Sequence, residues 1–416
     1  DAGNQYAAFK TYFHKQKSVK YYYFVPTNVQ NQPLDLLNAE KKLAQKLNRQ
    51  LASANTAVKD LTIYVTYQST NIQDDTYAFN LSATAFGTTT KRFKTTYQRI
   101  GHLDGPEQIY NLADQIHPVT FKALTNNGAT EPALKRLVIN QLIERHTYSW
   151  SEVQALQKLT FSDQFDYTTD GLTLHFAPNE LKLTQLELPL KTVGPYLNPD
   201  YVAVSNQASQ VSGRHKAVAL TFNTTLKPKV TQAILKTLTK HDISATFLTT
   251  GAGAKTHPQV LKDLLAAHQK VGVQTYQSDD NPANLSATDW QQNLTKTDQA
   301  FYQASGQLPQ YQRLPLDTAN AQLAQIAQRP FIEWSVDSQD WSTTITAPQI
   351  TENVIKGVTG GDLVLLHTTA TTNQALPTLI QQLKAKGYHF TTVDDLFKNQ
   401  LNPQQQIFKV GDKRPL

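Results

Sequence analysis

The sequence predicts an α/β protein with a distorted parallel (β/α) barrel of about seven strands at the C-terminus, preceded by two small α+β domains. Three observations support this fold class. The chain has 416 residues, more than one hydrophobic core usually accommodates. Strand-like segments in the first 200 residues alternate apolar and polar side chains, as half-buried antiparallel strands do. After residue 215, hydrophobic strands instead alternate with amphipathic helices, which is the pattern of βα units.

The first α+β domain is predicted over residues 1–100. "VKYYYFVP" at 19–26 has the composition of a strand, and a helix with apolar residues at helical spacing follows it. Those apolar positions are Leu36, Ala39, Leu43, Leu47 and Leu51. Three more strands are predicted at 61–68, 76–86 and 91–100. A helix packed on such a sheet would bury one apolar face of each element.

The second α+β domain is predicted over residues 101–200. Its predicted elements are a helix at 131–145, a hairpin at 165–176 and a strand at 185–193. The hairpin is expected to turn at Asp170-Gly171, since Asp-Gly pairs tolerate positive φ. Residues 201–214 are small, polar and without period, so they are predicted to be a linker.

The third domain is predicted over residues 215–400, and residues 401–416 are predicted to be a tail on the surface. Strands are expected at 216–222, 243–249, 271–276, 310–315, 331–337, 362–367 and 388–392. Amphipathic helices lie between them, for example at 228–241 and 257–268. Ser286 and Asp289 predict the capped start of another helix.

Composition restricts the setting in which the protein works. A formal net charge of +6 and a pI near 9.1 favour an anionic environment such as a cell wall or a membrane surface, although a solvated, mildly basic surface is the preferred interpretation. The Lys and Arg residues are scattered rather than interleaved with aromatics, so no nucleic-acid partner is predicted. The chain has no Cys, which excludes disulfides, thiolate metal sites and a Cys nucleophile. It starts at Asp1 and contains no Met, so we expect a signal or anchor segment to lie outside it.

Polar side chains follow the predicted barrel strands where each strand ends. These residues are Asn223, Thr224, the segment 274–280, Arg313, Asp337, Asp340 and His367. Reacting groups of parallel barrels lie at the carboxyl ends of the strands, so we expect the five loops to converge on one face.

The order of these residues resembles a known family. Residues 215–397 resemble the polysaccharide deacetylases of carbohydrate esterase family four, also called the NodB-homology domain. The matching motifs are "AVALTFNTTL" for a strand ending in Asp-Asp-Gly-Pro, "VQTYQSD" for His-Thr-x-x-His, "QRLPLD" for Arg-x-Pro, "WSVDSQDW" for Asp-x-x-Asp-Trp and "LVLLH" for the final His. Residues 101–200 resemble a small domain found in lysozyme-sensing anti-sigma factors and wall deacetylases.

The resemblance implies that the metal half of the site is replaced. In the family a divalent metal, usually zinc, polarises the acetamide carbonyl and activates water. The family's base position is Asn223 here, and its metal positions are Thr224, Gln274 and Ser278. An amide cannot take up a proton at neutral pH, and these neutral side chains are poor zinc ligands. We therefore expect no metal cofactor, although the family would use one.

The resemblance also implies that the other half of the site is retained. Arg313 matches the residue that orients the base, Asp337 and Asp340 match the acidic motif, and His367 matches the general acid. Trp341, Tyr276 and Leu366 are expected to offer apolar faces to sugar rings. The competing interpretation is that the retained polar residues serve only the structure.

The leading functional hypothesis is a non-catalytic deacetylase-like protein on the extracellular side of a Gram-positive envelope, anchored by a segment outside this chain. It would bind peptidoglycan, another N-acetylglucosamine glycan, or a wall-active protein such as an enzyme or lysozyme. One alternative is an active deacetylase with a relocated metal at Asp279 and Asp280, beside His367 or Asp337. His257 and His268 are expected to face away from it. Another alternative is a protein-interaction scaffold.

Overall fold

The computed structural model forms two compact units. It describes residues 9–53, 58–73, 75–91, 94–113, 116–125, 130–161, 165–168, 170–176, 183–202, 216–315, 318–397, 401, 403 and 405–416. One unit comprises Asp1–Asn127 and Thr160–Gln207, and the other comprises Gly128–Leu159 and Ala208–Leu416. Most of the predicted linker at 201–214 lies outside the described residues.

The first unit contains a five-stranded sheet with one helix on it. Its elements are β1 (Phe9–Gln16), β2 (Val19–Pro26), α1 (Leu37–Ser53), β3 (Lys59–Gln73), β4 (Thr76–Lys91) and β5 (Lys94–Asn111). The strands follow chain order, and only β2 and β3 are parallel, since α1 crosses between them. Leu43 and Leu47 of α1 pack with Tyr21, Tyr23 and alternate residues of the central strands. The predicted helix-on-sheet arrangement is confirmed, with β1 as an additional strand.

A small three-stranded sheet completes this unit. Its elements are α2 (Phe121–Leu124), β6 (Phe165–Tyr167), β7 (Gly171–His175), β8 (Gln185–Pro189) and α5 (Leu190–Val193). The reason for glycine at the hairpin turn differs from the prediction, because neither Asp170 nor Gly171 has a positive φ. A Cβ on Gly171 would instead clash with the carbonyl oxygen of Leu188. Close approach of the β8 backbone therefore requires glycine.

Two helices of the predicted second domain group with the C-terminal unit instead. They are α3 (Glu131–Arg145) and α4 (Trp150–Leu156). The Asn140 side chain donates to the Leu308 carbonyl (3.2 Å) and accepts from its amide (2.9 Å). The Tyr302 hydroxyl donates to the Tyr148 carbonyl at 2.8 Å. These contacts join residues far apart in sequence, so local patterns could not reveal the grouping.

The C-terminal unit is a distorted barrel surrounded by helices. Its strands are β9 (Ala217–Thr224), β10 (Thr246–Thr249), β11 (Lys270–Val273), β12 (Phe331–Ile332), β13 (Val336–Asp337), β14 (Asp362–His367), β15 (His389–Thr391), β16 (Gln405–Lys409) and β17 (Asp412–Pro415). The helices are α6 (Pro228–Lys240), α7 (Gly251–Thr256), α8 (Pro258–Ala266), α9 (Ala287–Ser305), α10 (Ala321–Ala327), α11 (Ala347–Gly357), α12 (Ala370–Ala385) and α13 (Val393–Phe397). The predicted fold class is confirmed.

Helix α9 shows how the sequence determines a barrel helix. The Ser286 hydroxyl caps it by accepting from the Asp289 amide at 3.1 Å, as predicted. Its buried stripe includes Trp290, Leu294 and Phe301. No helix among the described residues has the length and apolarity needed to cross a bilayer.

Strand β16 closes the barrel, which corrects the prediction that residues 401–416 are a surface tail. The sheet order is β11-β10-β9-β14-β16-β12, and β16 runs antiparallel to β14 and parallel to β12. Gln312 then bridges to Val273 and to Phe331, linking β11 to β12. The predicted strand at 310–315 is reduced to this bridge. Ile407 of β16 is fully buried because it faces the barrel core.

Candidate functional site

The carboxyl ends of three neighbouring strands hold the central residues of the candidate site. Asn223 at the end of β9 lies in register with His367 on β14 and with Leu248 on β10. The side chains of Asn223 and His367 are both half-buried. Parallel pairing therefore brings the two positions together at the same edge of the sheet, where reacting groups of such barrels lie.

His367 and Asp340 form a hydrogen-bonded pair. The His367 Nδ1 lies 2.7 Å from Asp340 Oδ1, and the His367 amide donates to Asp340 Oδ2 at 2.7 Å. The Thr372 hydroxyl donates to the same Oδ2 at 2.5 Å. A carboxylate only accepts, so Nδ1 carries the proton in this contact and Nε2 remains for a ligand. The pair can orient an imidazole for proton transfer or for hydrogen bonding.

Arg313 is a deeply buried charge of the site, with 1% of its surface exposed. Its guanidinium donates to the carbonyls of Ile332 (2.8 Å) and Glu333 (2.7 Å) and to the Thr221 hydroxyl (2.9 Å). Its Nη1 also donates to Asn223 Oδ1 at 3.2 Å. Arg313 thus orients Asn223, which places an amide oxygen at the position predicted for the family's base.

Glu333 is a buried residue of the site that sequence reasoning missed. Burial lowers the pKa of Arg313 to about 10, and the negative charge of Glu333 acts in the opposite direction. The arginine therefore stays protonated at neutral pH. The signal available was an acidic residue within the apolar segment "PFIEW", because fully buried carboxylates are rare without a partner.

Asp337 does not contact His367 and instead fixes the position of Trp341. Its Oδ2 accepts from the Trp341 indole at 3.2 Å, and its Oδ1 accepts from the Gln339 amide at 2.7 Å. Gln339 has a left-handed φ of 60°, which makes this turn tight. Trp341 remains 62% exposed. Of the two expected acidic residues, only Asp340 supports His367 directly.

Two of the predicted metal positions, Thr224 and Gln274, form hydrogen bonds with neighbouring groups of the barrel. The Thr224 hydroxyl accepts from the Leu226 amide (2.9 Å) and from Thr368 Oγ1 (3.0 Å). Gln274 Nε2 donates to the carbonyls of Leu248 (2.6 Å) and Thr224 (3.3 Å). Both side chains are buried, and ordinary hydrogen bonds satisfy these polar atoms.

Ser278, the third predicted metal position, is exposed in a turn after β11. It keeps the four-residue separation from Gln274, but the loop places it in solvent. None of the three side chains is an imidazole or carboxylate, so the set does not fit a catalytic zinc site. Throughout the described ranges, no three His, Cys, Asp or Glu side chains cluster in a way that could hold a metal.

The predicted relocation of a metal to Asp279 and Asp280 finds no support in the geometry. Asp280 Oδ2 accepts from the Gln277 amide (2.8 Å) and from Asn293 Nδ2 (2.7 Å), which anchors its loop to α9. Asp279 is exposed in the same turn. His257 lies at the α7–α8 junction, and His268 is exposed beyond the end of α8.

The predicted apolar faces differ in accessibility. Leu366 is fully buried between the barrel strands and the helices that surround them, so the expectation that it contacts a sugar is wrong. Strand alternation explains this, since Leu366 and His367 point to opposite faces of β14. Tyr276 is half-buried, and its backbone amide donates to Asn293 Oδ1 at 2.9 Å. Trp341 is the exposed aromatic of the three.

Comparison with known proteins gives two family models that match consecutive parts of the chain. The model described as polysaccharide deacetylase matches residues 210–330. The model described as the peptidoglycan GlcNAc deacetylase N-terminal domain matches residues 10–209. Together they cover residues 10–330.

Individual relatives match as well. A peptidoglycan-N-acetylglucosamine deacetylase of Listeria monocytogenes is 26% identical over 431 aligned positions, covering 100% of this chain and 89% of the relative. One from Bacillus cereus is 31% identical, covering 44% of this chain and 68% of the relative. Among solved structures, a CE4-family pseudoenzyme from Bacillus anthracis matches with 29% identity, a TM-score of 0.42, and coverage of 45% of this chain and 66% of that one.

Proposed function

We propose, from the premise that the chain belongs to the polysaccharide deacetylase family, that its barrel binds N-acetylglucosamine-containing glycan without hydrolysing it. The relatives named above are peptidoglycan deacetylases, which makes peptidoglycan the first ligand to test. The observation that carries the proposal is the set Asn223, Thr224, Gln274 and Ser278. Where the family has a base and three metal ligands, this chain has neutral side chains. Two of them, Thr224 and Gln274, form hydrogen bonds with backbone groups.

The remaining groups suit recognition of a sugar. Trp341 offers an exposed indole face, held in place by Asp337, on which a pyranose ring could stack. His367 Nε2 and the Asn223 amide could form hydrogen bonds with hydroxyl or acetamido groups. Arg313 and Asp340 hold these two side chains without needing a metal. Binding would therefore survive the loss of the catalytic groups.

A second candidate function is that of an active deacetylase with an unorthodox metal site. It is favoured by the His367–Asp340 pair, which has the geometry of a general acid with its orienting carboxylate. This candidate requires a metal or another means of activating water, and no residue set described above provides one.

The binding test is calorimetric titration of the full chain with chitohexaose and with soluble muropeptides. We expect weak binding that Trp341→Ala reduces about tenfold. Val29→Ala, which changes a similarly exposed apolar residue in the other unit, serves as the control. Lack of any heat change at millimolar glycan would refute the proposal and would favour a protein-interaction scaffold, including one for a wall-active enzyme or lysozyme.

We also propose that the protein works on the extracellular side of the envelope, because the relatives are named for peptidoglycan. Protease treatment of intact cells that produce the full-length protein should digest it while sparing a cytoplasmic marker. Protection of both proteins would contradict this location.

A further inference from the structure

The outer face of the five-stranded sheet carries a row of aromatic side chains, one from each strand. This aromatic row consists of Phe13 on β1, Tyr22 on β2, Tyr64 on β3, Phe86 on β4 and Tyr97 on β5. Residues on either side of Tyr22 and Tyr64 in the chain belong to the core shared with α1. Because side chains alternate along a strand, the row lies on the face away from α1.

The rings form a continuous series across the sheet. The centroid separations are 5.0 Å from Phe13 to Tyr22, 5.2 Å from Tyr22 to Tyr64, 5.9 Å from Tyr64 to Phe86 and 6.1 Å from Phe86 to Tyr97. The interval follows the strand spacing of about 5 Å. An extended chain of linked pyranose rings advances by a similar length per sugar, so successive sugars could meet successive rings.

Sheet stabilisation alone does not explain the exposure of the row. Cross-strand aromatic pairs do stabilise a sheet. However, Phe13 is 57% exposed and Tyr97 is 54% exposed, while the three central rings are only half-buried. The hydrophobic core of this unit lies on the opposite face. A contiguous exposed apolar surface of this kind indicates a binding function.

Cationic side chains lie beside both ends of the row, Lys15 and Lys20 next to Phe13 and Tyr22, and Arg99 next to Tyr97. Lys15 pairs in register with Lys20, and Arg99 pairs with Phe86. Each lies two residues from a ring of the row on its own strand, so all three share the outer face. All three are exposed, and none forms an ion pair within the described part of the chain.

Hydrogen-bonding groups, among them the exposed carboxylate of Asp104, lie beside the other part of the row. Thr66 and Ser82 are 3.3 Å apart across β3 and β4. The Thr84 hydroxyl lies 2.8 Å from His102 Nδ1, and His102 Nε2 lies 3.0 Å from Asp104. These groups could contact sugar hydroxyls, whereas a groove for single-stranded nucleic acid would be expected to line the backbone with cations.

We infer that this face binds an extended anionic glycan strand, with sugar faces stacked on the aromatic row and carboxylates beside Lys15, Lys20 and Arg99. The inference goes beyond the proposed function because it concerns the first compact unit and does not depend on the barrel cleft. Charge complementarity selects a glycan that bears carboxylates over a neutral one.

The test is the affinity of the full chain for soluble, uncrosslinked peptidoglycan strands, measured in a Trp341→Ala background that removes the cleft's aromatic contact. We expect Phe13→Ser combined with Tyr97→Ser to weaken binding about tenfold, as should Lys15→Gln, Lys20→Gln and Arg99→Gln combined. The charge variant should also reduce the salt dependence of binding. These side chains are exposed, so folding should be retained, which circular dichroism checks.

The matched control is Lys41→Gln, Lys42→Gln and Lys46→Gln combined, which removes the same charge from exposed positions of α1. It should bind like the parent. Unchanged affinity of either row variant would overturn the inference, as would tighter binding of oligothymidine or of anionic lipid vesicles than of peptidoglycan strands. Complete loss of binding from Trp341→Ala alone would assign all binding to the cleft and would also overturn it.

Discussion

The two aspartates of the barrel site differ in burial and in their hydrogen bonds. Asp340 is fully buried and accepts three hydrogen bonds, two from His367 and one from Thr372. Asp337 is partly exposed and accepts from Trp341 and a backbone amide. The sequence presents both as one acidic motif, but burial differs between them. The difference has a measurable consequence for stability.

We predict that Asp340→Ala lowers the free energy of unfolding of the C-terminal unit by about 3 kcal/mol, because buried donors lose their acceptor. Asp337→Ala should cost less than about 1 kcal/mol, since its donors can reach water. Urea denaturation followed by tryptophan fluorescence measures both. Equal losses from the two substitutions would show that the hydrogen bonds of Asp340 do not stabilise the fold.

A buried carboxyl in the first unit gives a pH prediction. Burial raises the pKa of Glu40 to about 8, against 4.5 for the ordinary group. Folding therefore favours the protonated form, and the full stability present below pH 4.5 is lost progressively as the pH rises toward 8. Glu40→Gln should abolish this loss and stabilise the first unit at pH 9 by on the order of 4 kcal/mol.

Thermal unfolding between pH 4 and pH 9 checks this prediction, with the exposed Glu187→Gln as the control in the same unit. If the unfolding temperature of the Glu40→Gln variant depends on pH as strongly as that of the parent, another group causes the effect.

Single helices and strands show which structural features can be predicted from the sequence. The stripe and cap of α9 were predictable because both are local, and the strand ends of β9 and β14 were predictable because parallel strands share an edge. The closing strand β16 was not predictable, since it pairs with residues distant in sequence. The burial of Leu366 could have been read from strand alternation in "LVLLH".

We predict that β16 is essential to the barrel. Ile407→Ala should destabilise the C-terminal unit by about 3 kcal/mol, because it leaves a cavity where a fully buried side chain packed. Gln405→Ala, a half-buried position on the same strand, should cost far less. Chemical denaturation of both variants distinguishes a closing strand from the surface tail that composition suggested, for which both losses would be negligible.

The whole molecule combines a family fold with an altered set of reacting groups. The order of the motifs allowed the fold and the family to be predicted. The hydrogen bonds of Gln274 and Thr224 could not be predicted, since they depend on nearby backbone carbonyls and amides. If the chain differs from the family only at the predicted base and metal positions, placing carboxylate and imidazole ligands there should produce metal binding.

We predict that Asn223→Asp, Thr224→Asp, Gln274→His and Ser278→His combined creates a zinc site, since Gln274 and Ser278 retain the family's spacing. Deacetylation of chitohexaose should be slow at best, because the exposed turn at Ser278 must reorganise before the reacting groups align. A folded quadruple variant that binds no zinc would show that these four positions do not correspond to the family's site.

The most direct measurement is the zinc content and deacetylase activity of the unmodified protein. The chain is dialysed against trace zinc, analysed for metal by mass spectrometry, and assayed on chitohexaose and peptidoglycan strands. We predict no stoichiometric zinc and no acetate release above the rate without protein. About one zinc ion per chain, together with acetate release that a chelator abolishes, would contradict the proposal that this barrel binds glycan without hydrolysing it.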